Sequence, residues 1–117
     1  MAQRFVVKQL DNTPPVDCPC GRAFRIITGE DNEHLSIHVV DISKDSKPHY
    51  HKRQTEYYLV LEGEGTLEID GEAVPLRRGT AVMIPPGAVH RAVGKLRIVN
   101  VVVPPFSPED EFLAEES

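Results

Sequence analysis

His49-Tyr50-His51-Lys52-Arg53-Gln54-Thr55-Glu56 is the stretch on which the fold turns. His49 and His51 are separated by a single residue, so on an extended strand both imidazoles point to one face. Glu56 comes five residues after His51, across a break at Lys52–Thr55. With a turn or bulge at that break, Glu56 opens the next strand and returns to the same face. In steps of two, Tyr58 and Val60 join it there, and Gly63 closes the segment. His90 lies far down the chain, directly after a Pro85-Pro86-Gly87 turn, at the start of another strand. Only a barrel-like closure brings it to His49 and His51. Three neutral imidazoles and one carboxylate suit Fe(II), Mn(II), Ni(II), Co(II) or Zn(II), and are poor for Cu(I) or Ca(II). On a six-coordinate ion these four ligands leave two positions open.

The chain around this stretch reads as short strands punctuated by its 10 Pro and 8 Gly. Strands are expected at 22–28, at 33–42, where Leu35, Ile37 and Val39 alternate with Ser36 and His38, at 49–53 and at 56–62. Residues 43–48 form a turn between them. Asp70-Gly71, between 66–69 and 72–76, is the strongest hairpin signal. Arg78-Gly79 precedes a strand at 80–84. Another follows at 89–93, then Gly94-Lys95, then the apolar run Leu96–Val103, ended by Pro104-Pro105. Residues 104–117 form an acidic tail, in which 108–115 could make a short helix docked by Phe112. Many short strands without helices define an all-β sandwich or barrel in a single domain spanning 1–117.

A net charge of -5 with scattered Lys and Arg argues against a sequence-independent grip on nucleic acid. No apolar run approaches the ~20 residues that span a bilayer, and the start lacks the pattern of a signal peptide. A cytoplasmic location is expected. Cys18 and Cys20 flank Pro19, a spacing that rarely suits a disulfide. The ordinary reading is reduced thiols in a turn closed by Gly21, with metal binding or a redox pair as alternatives.

The two histidine segments also carry a family resemblance. His49, His51, Glu56 and Gly63 read H-x-H-x4-E-x6-G, and Gly79, Pro85, Gly87 and His90 read G-x5-P-x-G-x2-H. These look like the two motifs of the cupin superfamily, in order, within 48–63 and 79–94. The departure is Gly94, where cupins often have Asn at a position that is not a ligand. The resemblance implies a double-stranded β-helix, or jelly-roll, barrel of the small single-domain kind, with one divalent transition metal on His49, His51, Glu56 and His90. Gly63, Gly79 and Gly87 would supply turn conformations at the barrel corners.

Parity and composition name further pocket candidates. Tyr58 is the catalytic candidate, as the one proton carrier besides the edge of Glu56. Asn100 is the only polar residue in 98–103 and, if buried, needs a partner. His38 is a satisfied or pocket-lining residue, and His34 is exposed. Arg25 sits in Phe24-Arg25-Ile26-Ile27; turned inward it would select an anionic substrate such as a carboxylate, while the ordinary placement is outward and salt-bridged. Asn100, Arg25 and His38 are therefore the substrate-binding candidates. Cupins include dioxygenases, isomerases, decarboxylases and lyases, so the resemblance implies a metal-dependent enzyme on a small organic molecule, dioxygenase or isomerase/lyase. The alternative is a non-catalytic binding or sensing module for a small ligand. A homodimer is expected, with Leu96–Val103 and Phe5-Val6-Val7 offering surfaces.

Overall fold

The computed structural model describes residues 4–43 and 46–114. Its strands are β1 (Val16–Cys18), β2 (Gly21–Ile27), β3 (Ser36–Ile42), β4 (His49–Tyr50), β5 (Thr55–Ile69), β6 (Glu72–Arg77), β7 (Ala81–Ile84), β8 (His90–Val103) and β9 (Phe112–Leu113). The two long strands organise everything. β5 and β8 are antiparallel along their whole length, from Thr55 opposite Val103 to Ile69 opposite His90. The first half of β5 also takes β7, and its second half takes β6. β8 takes β3 along its C-terminal half and β4 at His90. One layer is therefore β1-β2-β3-β8-β5-β7, the other β9-β4-β8-β5-β6, and β5 and β8 belong to both. This is the expected jelly-roll barrel.

Each of β5 and β8 reads as two strands in the sequence, because Gly63 and Gly94 look like the ends of strands. They are instead points where the two backbones touch. A Cβ on Gly63 would overlap the Lys95 carbonyl oxygen, and one on Gly65 the Val93 carbonyl oxygen. Gly63, with φ of 88°, sits inside a strand rather than at its end. Only glycine permits that approach and that backbone angle together.

The barrel interior follows parity up to a register shift between Val60 and Glu62. Glu56, Tyr58 and Val60 point inward before it and Leu67 after it, while His90, Ala92, Leu96, Ile98, Asn100 and Val102 are the buried residues of β8. Fully burying side chains such as Leu67 or Ile98 contributes about 1.5–3 kcal/mol each. On β3 the barrel-side residues are Ser36, His38, Val40 and Ile42. The 108–115 helix is replaced by a single 3-10 turn, Pro108–Asp110, followed by β9. Phe112 does dock, stacked on Tyr50 at 5.4 Å between ring centres. Residues 115–117 and part of the 43–48 turn lie outside the described residues. Leu96–Val103 is paired on both sides, by β3 and β5, so it offers no free edge. Outward, Tyr57, Leu59 and Met83 remain exposed, as do Phe5, Val6 and Val7. No helix is long and apolar enough to cross a membrane.

Candidate metal centre

The curl of the β5–β8 ladder creates the site. Glu56 stands near one end of that ladder and His90 at the other, paired with Ile69. Thirteen residues of flat strand separate Glu56 from Ile69 by roughly 43 Å, yet the Nε2 of His90 lies 2.9 Å from a Glu56 carboxylate oxygen. His49 is brought in by direct pairing with His90 across β4 and β8. His51 follows on the short extension of β4, its Nε2 also 2.9 Å from Glu56. All four side chains are 5% exposed or less, and one donor atom from each lies within 4.8 Å of the others.

Backbone carbonyls orient the three rings. Nδ1 of His49 donates to Lys47 O at 2.9 Å, that of His51 to Asp110 O at 2.7 Å, and that of His90 to Ala88 O at 2.9 Å. A carbonyl only accepts, so each proton sits on Nδ1 and each Nε2 keeps its lone pair. Glu56 is held on its far oxygen by Asn100 Nδ2 at 2.6 Å. Its near oxygen and the Nε2 atoms of His51 and His90 are buried without a hydrogen-bond partner among the described residues. Adjacent ligands of an octahedral ion with bonds of about 2.1 Å stand about 3.0 Å apart. The 2.9 Å spacings match that shell, so this donor set fits one divalent cation.

Electrostatics follows from burial and neighbours. Burial works to raise the Glu56 carboxyl, but the His51 and His90 contacts outweigh it and hold it well below the usual range. Burial lowers His51, and the adjacent Glu56 carboxylate, 2.9 Å from its Nε2, reverses this to leave it raised. His49 is lowered to about 4, by burial first and by His90 next. Burial, then the Glu56 charge, keeps the Tyr58 phenol protonated well above its usual range.

The four ligand candidates named from the sequence converge. Tyr58, Asn100, Arg25 and His38 all line the small cavity beside them. Arg25 is the correction: it is half-buried over the Phe106 ring at 4.4 Å, with no ion pair among the described residues. Its place opposite His38 on β3 puts it on the cavity wall. The cysteines are a second correction. Cys18 and Cys20 form a disulfide with Cα atoms 5.2 Å apart, within the bridging range, because the β1–β2 hairpin turns between them. The bridge also lines the cavity.

Three contributors escaped the sequence reading: Asp110, Glu111 and Phe106, all in what looks like a solvated tail. Asp110 is 3% exposed and accepts the backbone N–H groups of Lys52, Arg53 and Gln54 at 3.0–3.1 Å. It therefore shapes the turn between His51 and Glu56. Burial raises the Glu111 carboxyl, with the His51 charge opposing.

His38 yields a pH prediction. Burial first, then the Arg25 charge, lowers it to about 4, with Glu56 opposing. The unfolded chain takes up this proton near pH 6.5, and the folded protein refuses it until about pH 4. Its contribution to stability is present above pH 6.5 and is lost as pH falls through that window, by roughly 3 kcal/mol. Denaturant titrations of wild type and His38→Gln at pH 7.5 and 4.5 check this. The variant should lose less stability on acidification, and parallel losses would refute the assignment.

Residues 37–102 match the Cupin domain family, and the chain belongs to that family. It is 30% identical over 87 residues to an uncharacterized protein of Methanocaldococcus jannaschii, covering 71% of this chain and 70% of that one. The crystal structure of a protein from Planctomyces limnophilus superposes with a TM-score of 0.85 at 38% identity, over 96% of both chains. The nucleoside dehydratase Pac13 has the same fold, with a TM-score of 0.81 at 18% identity over 95% and 92% of the two chains.

Proposed function

We propose that this cupin is a metal-dependent enzyme that moves a proton at carbon in a small oxygenated molecule, by lyase or isomerase chemistry. The carrying observation is the composition of the cavity wall: a phenol, a neutral imidazole and a carboxamide beside a donor set with three unpartnered atoms. A divalent cation on His49, His51, Glu56 and His90 would act as a Lewis acid, polarising a carbonyl or hydroxyl oxygen of the substrate. Tyr58, on the cavity wall, would give its proton to a leaving or enolate oxygen. His38, a base about as strong as an ordinary carboxylate, accepts the proton taken from carbon. Asn100 fixes the Glu56 carboxylate. Pac13 supports the reaction class by analogy of fold alone.

The test uses protein purified without added metal, analysed for bound elements and then offered 3-hydroxy acids, aldoses and ketoses with and without oxygen. Turnover that continues anaerobically and consumes no dioxygen is expected. Turnover that stops without oxygen would establish the dioxygenase instead, and tight binding with no turnover under any metal would make the protein a sensor. Homodimerisation belongs to the same proposal, with the outward row Tyr57, Leu59 and Met83 as its contact rather than Leu96–Val103.

A further inference from the structure

The cavity beside the four ligands measures about 20 Å3, room for roughly one water molecule. Arg25, His38 and Phe106 form part of its wall, and the same three residues line an outer groove of about 360 Å3 together with Thr28, Ser36 and Pro108. Cavity and groove are the two sides of one partition. A ligand larger than water that enters from this groove therefore meets Arg25, His38 and Phe106 on its way to the donor set.

Arg25 is unusual for a half-buried cation. It has no ion pair within 4 Å among the described residues, Glu111 on the same cavity being the carboxylate whose charge acts on it, and its Nε is buried with no hydrogen-bond partner among them. The Phe106 ring covers the guanidinium at 4.4 Å, which stabilises the charge without using its N–H groups. Two strands along the same row, past His38, Asn100 Oδ1 is buried and also unpartnered among the described residues. An unmet donor that carries positive charge and an unmet acceptor on one small cavity are complementary to a ligand bearing an anionic oxygen and a hydroxyl.

We propose that Arg25 is the specificity-determining residue of a carboxylate subsite. The ligand is a small hydroxy acid whose carboxylate lies against the guanidinium at the partition and whose hydroxyl points inward, past Asn100, to His49, His51, Glu56 and His90. Phe106 yields to admit it, since the cavity as it stands is too small. The inward end of this ligand rests on the metal-dependent reading above; the Arg25 end does not.

The test titrates 15N-labelled protein, metal-free and Zn(II)-loaded, with 3-hydroxybutyrate and with its neutral analogue 3-hydroxybutyramide, following the arginine Nε–H resonances. In wild type the acid should saturably shift one of these resonances, the one missing from Arg25→Gln. Acid affinity should fall at least about tenfold in Arg25→Gln and recover in part in Arg25→Lys, while amide affinity stays the same. Circular dichroism confirms that both variants are folded. Equal loss for acid and amide, unchanged acid affinity in Arg25→Gln, or no saturable acid binding to wild type would each overturn the subsite. A shifted Arg25 resonance in protein that takes up no Zn(II) would leave the subsite standing and remove the metal-dependent reading.

Discussion

His90→Ala is expected to leave a folded barrel that no longer retains a divalent cation at one per chain. His90 is 1% exposed, and its Nε2 is one of the unpartnered atoms facing Glu56. Alanine removes a donor without offering another, and the freed volume lies against the remaining ligands. Losing a group that merely supports a ligand typically costs 10–100-fold in metal affinity, so losing a ligand should cost more than about 100-fold. Elemental analysis after dialysis, beside a Zn(II) titration, reads this directly, with His51→Ala as the parallel case. Undiminished metal content in both variants would refute the site.

Asp110→Ala is expected to cost about 3–5 kcal/mol of stability, although Asp110 touches no metal donor. Among the described residues its carboxylate accepts three successive N–H groups, those of Lys52, Arg53 and Gln54, and its backbone oxygen holds the His51 ring. Alanine orphans the three N–H groups at once. The turn that aims His51 and Glu56 at each other then loosens, so metal affinity should fall with stability. Chemical denaturation of metal-free protein separates the two effects. A loss below about 1 kcal/mol would mean that water replaces the carboxylate without difficulty. Asp110→Asn, which keeps one acceptor oxygen, should fall between.

Whether a residue could be assigned from the sequence tracked how local its determinants are. His49 and His51 share a face by spacing alone, and His90 follows a turn of unmistakable chemistry. Tyr58 and Val60 were placed by parity because the bulge comes only after Val60. On β3, Ser36 and His38 both face inward because their polar atoms are satisfied there: His38 Nε2 meets Ser36 Oγ at 3.0 Å, and Ser36 Oγ accepts the Phe106 N–H at 2.9 Å. Nothing within β3 announces a partner seventy residues away. Asp110 escaped for the same reason, being an acid in an acidic tail until the chain returns it to the 52–54 turn. Gly63 and Gly94 are not legible locally, because a glycine that ends a strand and one that lets two strands touch look alike in one dimension. The Cys18–Cys20 bridge depended on where the hairpin turns, which spacing does not reveal.

The meeting of Glu56 with His90 has a consequence for the whole molecule. The two ends of the longest ladder are brought together like the ends of a hoop, and a cation gripped there would act as the buckle. Flattening the hoop would then require letting the ion go, so at a hundredfold excess over its dissociation constant the ion would add about 2.7 kcal/mol to the closed form. Occupancy and closure would thus be one equilibrium seen from two sides.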